Sequence, residues 1–284
     1  MNHSPNESLE PIVYRRNLDL PLDWPAGANR VFDGAKEWAR ANEAIYARLP
    51  ESLESLIEAG FPVNTEHSES KRTVLHTAAM FGDAAMVRML LKHGATIDKP
   101  DAYGITPLHS AAWKNNAGTI KVLCEARATI DARDDDDATP LHTAALRLAP
   151  KAVQVLIDAG ADVNASTGGR TPLFFVVMYE NDTRWDSAYR DHGGMRAEVR
   201  VMRALLAAGA EPSEAVLAEA VASNHTLAMR ALVRAGADPT TVEAGPHEDA
   251  RLALEELIVK HVQSQARVLN DAVKPVAVRK RSRL

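Results

Sequence analysis

A single cysteine, Cys124, stands among the 284 residues. No intramolecular disulfide can form and no cage of thiolates can hold zinc, so a reducing compartment is expected, and with it a cytoplasmic protein. No stretch approaches the roughly 18 uninterrupted apolar residues that cross a bilayer, and the longest candidate, TPLFFVVMY, is far shorter. The opening residues, MNHSPNESLEP, lack a basic start followed by an apolar run, so no cleaved signal peptide is expected. Catalytic fingerprints are missing too. There is no G-x-S-x-G, no phosphate-binding G-x-x-x-x-G-K-[ST], no H-E-x-x-H and no dinucleotide-binding glycine pattern. The expectation is a protein that is not an enzyme and carries no cofactor.

What is present is ordinary globular composition, with 46% apolar and 25% charged residues, enough for a sizeable core. Frequent alanine and an excess of arginine over lysine are biases of a GC-rich bacterial genome. The net charge of −5 hides an asymmetry. Lys274, Arg279, Lys280, Arg281 and Arg283 crowd the C-terminal tail with no acid among them, which leaves the body at about −10. An acidic body favours a basic protein partner and weighs against nucleic acid.

The chain repeats itself. RTVLHTAAMFGDAAMVRMLLKHGATID begins at Arg72, ITPLHSAAWKNNAGTIKVLCEARATID at Ile105, and ATPLHTAALRLAPKAVQVLIDAGADVN at Ala138. A fourth copy, RTPLFFVV, begins at Arg170, and Thr73, Thr106, Thr139 and Thr171 are spaced by 33, 33 and 32 residues. The T-P-L-H-x-A-A core, the V-x-x-L-L element and the G-A-x-x-D/N close resemble the ankyrin repeat. That resemblance implies an all-α ankyrin-repeat solenoid of stacked helix pairs with β-turn fingers, capped at both ends. YARLPESLESLIEAGFPVN resembles an N-terminal cap, and EAVLAEAVASNHTLAMRALVRAGADP a fifth helix pair. The organisation it implies is an N-terminal arm over residues 1–34, containing four prolines, then a repeat domain over 35–268. Within that domain lie a cap repeat near 35–64, repeats near 65–98, 99–131, 132–164, 165–211 and 212–240, and a C-terminal cap over 241–268. A basic flexible tail, 269–284, follows.

The unit has a physical logic of its own. Thr139 is placed to cap a helix N-terminus and Pro140 to occupy the first helical position, where its missing N–H costs nothing. Ala144 and Ala145 let the first helix lie close to its neighbours. Val153, Leu156 and Ile157 form the apolar stripe of the second helix, and Gly160 ends it in a left-handed conformation. One such pair cannot bury its own apolar face, so neighbours must stack.

Four consecutive aspartates, Asp134 to Asp137, fall in the finger between repeats. Turn chemistry with solvated charge, a protein-partner contact and a metal site are all open to them. Asp137 takes the position of Gly104 and Gly169, where a positive φ is expected. His76, His109 and His142 recur at one repeat position. Equivalent atoms of stacked helices lie about 8–10 Å apart, whereas zinc–nitrogen bonds are about 2.0–2.1 Å, so no single ion reaches all three. The resemblance implies instead that each histidine bonds the preceding threonine and neighbouring backbone. Phe174 replaces it in the fourth repeat. Cys124 reads as a small buried thiol.

Departures from the repeat carry the individuality. Arg127 stands where Gly94 and Gly160 close other helices, predicting a strained helix end. Val176 and Val177 replace the small alanine pair, predicting that the fourth helix pair is pushed from its neighbour. Thr171 to Ala210 spans 39 residues against 22 for Thr139 to Ala161, an excess placed near 180–196 and containing Trp185 and Tyr189. Repeat five, at GAEPSEAV, lacks a finger.

The function expected is non-catalytic binding of another protein, with a basic surface, to a chain that is monomeric when free. An immunity or inhibitor protein that neutralises a cognate toxin or enzyme is the leading form. A scaffold or a secreted effector engaging host proteins is the alternative, and an enzyme using the inserted loop is the remote one. The resemblance implies contacts from finger tips and first helices: Asp101, Tyr103, Trp113, Lys114, Asp134, Asp135, Asp136, Leu146, Arg147 and Met178. Trp185 and Tyr189 of the insertion join them as candidate anchors.

Overall fold

A computed structural model describes residues 33–81, 83–178 and 197–273. Thirteen α-helices run through these residues, and pairing of extended backbone is confined among them to two isolated bridges, Glu66 with Thr73 and Thr167 with Arg170. The helices come in pairs: α1 (Asp33–Tyr46) with α2 (Pro50–Glu58), α3 (Val74–Phe81) with α4 (Ala84–Lys92), and α5 (Pro107–Trp113) with α6 (Ala117–Glu125). Then follow α7 (Pro140–Leu146) with α8 (Pro150–Asp158), α9 (Pro172–Met178) with α10 (Ala197–Ala207), and α11 (Glu214–Ala222) with α12 (Thr226–Arg234). The long α13 (Glu248–Val273) closes the stack against α11 and α12. Its end at Val273 lies within the segment that sequence reading gives to the tail.

The odd-numbered helices form one row, each packed on the next from α1 to α13, and α2, α4, α6, α8 and α10 form a second row behind it. One apolar core runs the length between the rows. Leu75, Leu108, Leu141 and Leu173, one per repeat, have no solvent exposure, and neither do Leu90, Leu123, Leu156 and Leu205 of the second row. Each such burial contributes about 1.5–3 kcal/mol, gained only because the next repeat covers the face. Small alanines at 78–79, 111–112 and 144–145, all fully buried, let the front helices approach. Val176 and Val177 are equally buried, and α9 stays packed on both α7 and α11. In the front row the two valines are absorbed into the core, with Phe175 set edge-on against His142.

Two ladders of polar contacts stitch the repeats. At the closing loops, the amide nitrogen of Thr96 donates to Asn64, that of Thr129 to Asp98, that of Asp162 to Asp131 and that of Glu211 to Asn164. This is what the D/N of the repeat's last position does. The second ladder is histidine, described below.

Left-handed turns fall where the sequence places them. Gly94 and Gly160 end α4 and α8 with φ of 85° and 92°, and Arg127 ends α6 with φ of 71° through the same amide-to-carbonyl bond, here to Cys124. A side chain in that conformation costs about 1–2 kcal/mol. Arg127→Gly is expected to raise stability by about 1 kcal/mol, read as a higher urea midpoint, while Arg127→Ala gives no gain. Cys124 itself is partly rather than fully buried, and desolvation pushes its thiol above the ordinary value.

Candidate partner-binding surface

The two central fingers each begin with an aspartate that folds its own turn. Asp101 Oδ1 accepts the backbone N–H groups of Tyr103 and Ile105, and Oδ2 accepts Arg72 Nε at 2.9 Å. Asp134, one repeat on, likewise accepts from Asp136 and Ala138. Both carboxylates are buried, at 6% and 9% exposure. Burial pushes Asp134 up to about 6 against the opposing pull of those two amides. Aspartate is needed because its short side chain reaches N–H groups two and four residues ahead and closes the loop locally.

Neighbouring fingers then bond to one another. Ala102 N–H donates to the carbonyl of Ser70, Asp135 N–H to that of Tyr103, and Thr167 Oγ1 to that of Asp136. Gly104, with φ of 74°, sits so close to the third finger that a Cβ would lie 2.7 Å from the Asp135 nitrogen. Asp137 adopts the positive φ expected of it, 62°, and pairs with Arg133 at 2.9 Å. Four fingers thus make one continuous ribbon. Between α10 and α11 only residues 208–213 intervene, with no finger, as the sequence predicts.

Under the ribbon lies the histidine ladder. The Nδ1 atoms of His76, His109 and His142 accept the N–H groups of Thr73, Thr106 and Thr139, which fixes Nε2 as the protonated nitrogen. Nε2 then donates across to the next repeat, to the carbonyls of Ile105, Ala138 and Arg170 at 3.0, 3.1 and 3.2 Å. All three rings are almost fully buried, and desolvation holds each at about 4. They are neutral structural bridges. Where Phe174 replaces the histidine, Thr171 Oγ1 is left without a hydrogen-bond partner among the described residues.

The opposite end of the front helices carries a second row. Tyr46 packs at a tilt against Phe81 with centroids 5.1 Å apart, Lys114 lies 4.9 Å over Phe81, and the Arg147 guanidinium lies 4.0 Å over Trp113. Each such cation–π contact contributes about 0.5–1 kcal/mol at an exposed site and more when partly dry. A seven-residue front helix is about 10 Å long, so an acidic finger edge and a cationic–aromatic edge face a partner across that width.

The structure separates the predicted residues by role. Tyr103, at 40% exposure, stands at a finger tip with the exposed Asp135 and Asp136, and Lys114, Leu146, Arg147 and Met178 are at least partly exposed along the other edge. Asp101 and Asp134 are buried within their finger turns. Four aspartates in a row look like surface charge, but the first folds the turn and faces inward, as Asp101 does. Trp113 is 8% exposed, with the Arg147 guanidinium over its face. Trp185 and Tyr189 lie outside the described residues, as do the arm through residue 32 and the tail from 274. Phe81 and Tyr46 were missed. Their signal is an aromatic at the last position of consecutive front helices, visible only once Tyr46, Phe81 and Trp113 are aligned. Among the described residues, no group of three or more His, Cys, Asp or Glu is placed to hold a metal ion, and no helix is long and apolar enough to cross a membrane.

Stacked helix pairs with a continuous row of bonded fingers define a helical repeat protein of the kind that binds other proteins. Comparison with protein families makes this specific: a model of ankyrin repeats in three copies matches residues 42–134, and a single ankyrin repeat matches 136–168. The chain is an ankyrin-repeat protein. The pairs α9–α10 and α11–α12 continue the stack beyond the matched residues. Among curated proteins, a stretch of 61 residues is 40% identical to the ARF GTPase-activating protein Git of Drosophila melanogaster. It covers 22% of this chain and 8% of that protein, so the likeness lies in a small part of the relative.

Proposed function

We propose that this protein is a non-catalytic binding module whose partner lies across the fingers and the front-helix edge, with its basic surface against Asp135 and Asp136. The observation that supports the reading most is the exposure of these two carboxylates and Tyr103 on a finger ribbon that is hydrogen-bonded throughout. A rigid ribbon loses little entropy on binding, and clustered acids steer a basic partner toward it. The cationic–aromatic edge adds polarity to the surface, so a partner carrying basic groups toward the fingers and acidic or aromatic groups about 10 Å away fits one orientation.

Within this reading the partner is a basic toxin or enzyme that the protein neutralises by covering its working surface. Acidic charge on a preformed surface is the feature in favour. The rival form, a scaffold or an exported effector, predicts several partners instead of one stoichiometric complex. Replacing Asp135 and Asp136 with lysine is expected to weaken association with the partner recovered from native cells at least ten-fold. Wild-type affinity is expected to fall as salt rises from 0.05 to 0.5 M, because exposed charge is screened. Affinity unchanged by both manipulations contradicts the placement.

A further inference from the structure

The rear row of helices is broken once. α8 packs directly on α10, but α10 and α12 enclose an open groove of about 590 Å³ between facing stripes. From α10 come Val199, Met202, Leu206 and Ala207, and from α12 Leu227, Ala228 and Ala231. The facing alanines are too small to fill the space between the two helices. Leu227 stands 53% exposed at the lip. A leucine in that state at the mouth of an apolar groove marks a surface that no described residue covers. At the N-terminal ends of both helices, the buried Glu198, which lines the groove, pairs with the buried His225 at 2.5 Å. Toward the other end its rim is cationic: Arg203, Arg230 and Arg234 are exposed. Arg230 makes a long, solvent-exposed pair with Glu256, at 3.4 Å, while Arg203 and Arg234 have no ion-pair partner among the described residues.

We infer that this groove docks an acidic amphipathic helix of a second protein. Length, floor and rim each point to that chemistry. Eleven and nine residues of facing helix make a groove of about 14–16 Å, three turns of helix. An apolar floor takes the i, i+3, i+4, i+7 side chains of an incoming helix, and the volume lies within the roughly 300–1,000 Å³ of preformed binding clefts. Three guanidiniums on an otherwise acidic body select carboxylates at the flanking positions, where a basic helix is repelled. This surface lies on the row of helices away from the fingers, so it leaves the finger surface free and allows two partners at once.

The test uses the full chain and a synthetic amphipathic peptide of about 14 residues, with a leucine–alanine face and flanking glutamates. Its isomeric partner carries lysines in place of the glutamates. Fluorescence anisotropy is expected to show the glutamate peptide binding at least ten-fold more tightly than the lysine peptide, with Arg203→Glu plus Arg234→Glu reversing the order. A photo-crosslinking p-benzoylphenylalanine placed at Leu227 is expected to capture the glutamate peptide. Equal affinity for the two peptides, or no binding of either, overturns the proposal. So does a crosslink formed without peptide, either to a second copy or to residues 1–32 of the chain itself, since the groove then already has another occupant.

Discussion

Titrated from neutral pH toward acid, the protein is expected to lose most of its stability between pH 6.5 and pH 4. The cause is the histidine ladder. In the folded chain His76, His109 and His142 are held neutral at about 4 by burial, against about 6.5 in the unfolded chain. In that window the unfolded state binds more protons than the native one, so stability rises with pH, is fully present above 6.5 and drains away below it. Each histidine contributes on the order of 3 kcal/mol to the loss by pH 4, taking 1.36 kcal/mol per pKa unit. Asp134 acts the other way. Its carboxyl is raised to about 6, so from pH 6 down to about 4 the native state binds the extra proton and recovers part of the loss. Urea unfolding between pH 7 and 4.5 is expected to show a slope of about two protons net at the centre of the window. A stability profile flat from pH 7 to 5 contradicts the assignment of neutral bridging imidazoles.

The second large effect comes from breaking one rung. His109→Leu fills the same space with apolar atoms but leaves the Ala138 carbonyl and the Thr106 N–H facing it unpaired, both in the interior. An unsatisfied buried group costs about 1–3 kcal/mol, so the variant is expected to lose about 3–4 kcal/mol at pH 7. It also has one fewer group to protonate, so its acid slope flattens by about one proton and the two chains converge near pH 4. Denaturation at pH 7 and pH 4.5 reads both signatures. Equal destabilisation at both pH values would mean that only packing, and not a neutral hydrogen-bonded ring, was lost.

The repeat unit was legible because its constraints are local. Thr139 and Pro140 begin a helix, Gly160 ends one, and Arg127 and Asp137 hold the positive φ that their glycine counterparts announce. Those statements need only a few residues of backbone. The direction of a carboxylate is harder to read. Asp134 and Asp135 are adjacent and identical, yet one folds the turn and the other faces solvent, and only the finger's closed geometry distinguishes them. Trp113 falls in a front helix as the repeat pattern implies, but Arg147 of the next repeat covers it, a contact between residues 34 apart in sequence. The α10–α12 groove was not legible at all. It depends on how far two helices separated by α11 stand apart, and no pattern of hydrophobic residues in either one reports that distance.

The central claim is that a partner lies on the finger ribbon and the front-helix edge. Hydrogen exchange of the complex, recovered with its partner from the cells that make it, tests this most directly against the free protein. The account predicts slowed exchange at residues 101–105 and 134–138 and at the helix ends near 113–115 and 146–148. It predicts unchanged exchange along α4, α6 and α8. Slowing confined to those rear helices, with the fingers exchanging as in the free chain, would contradict it.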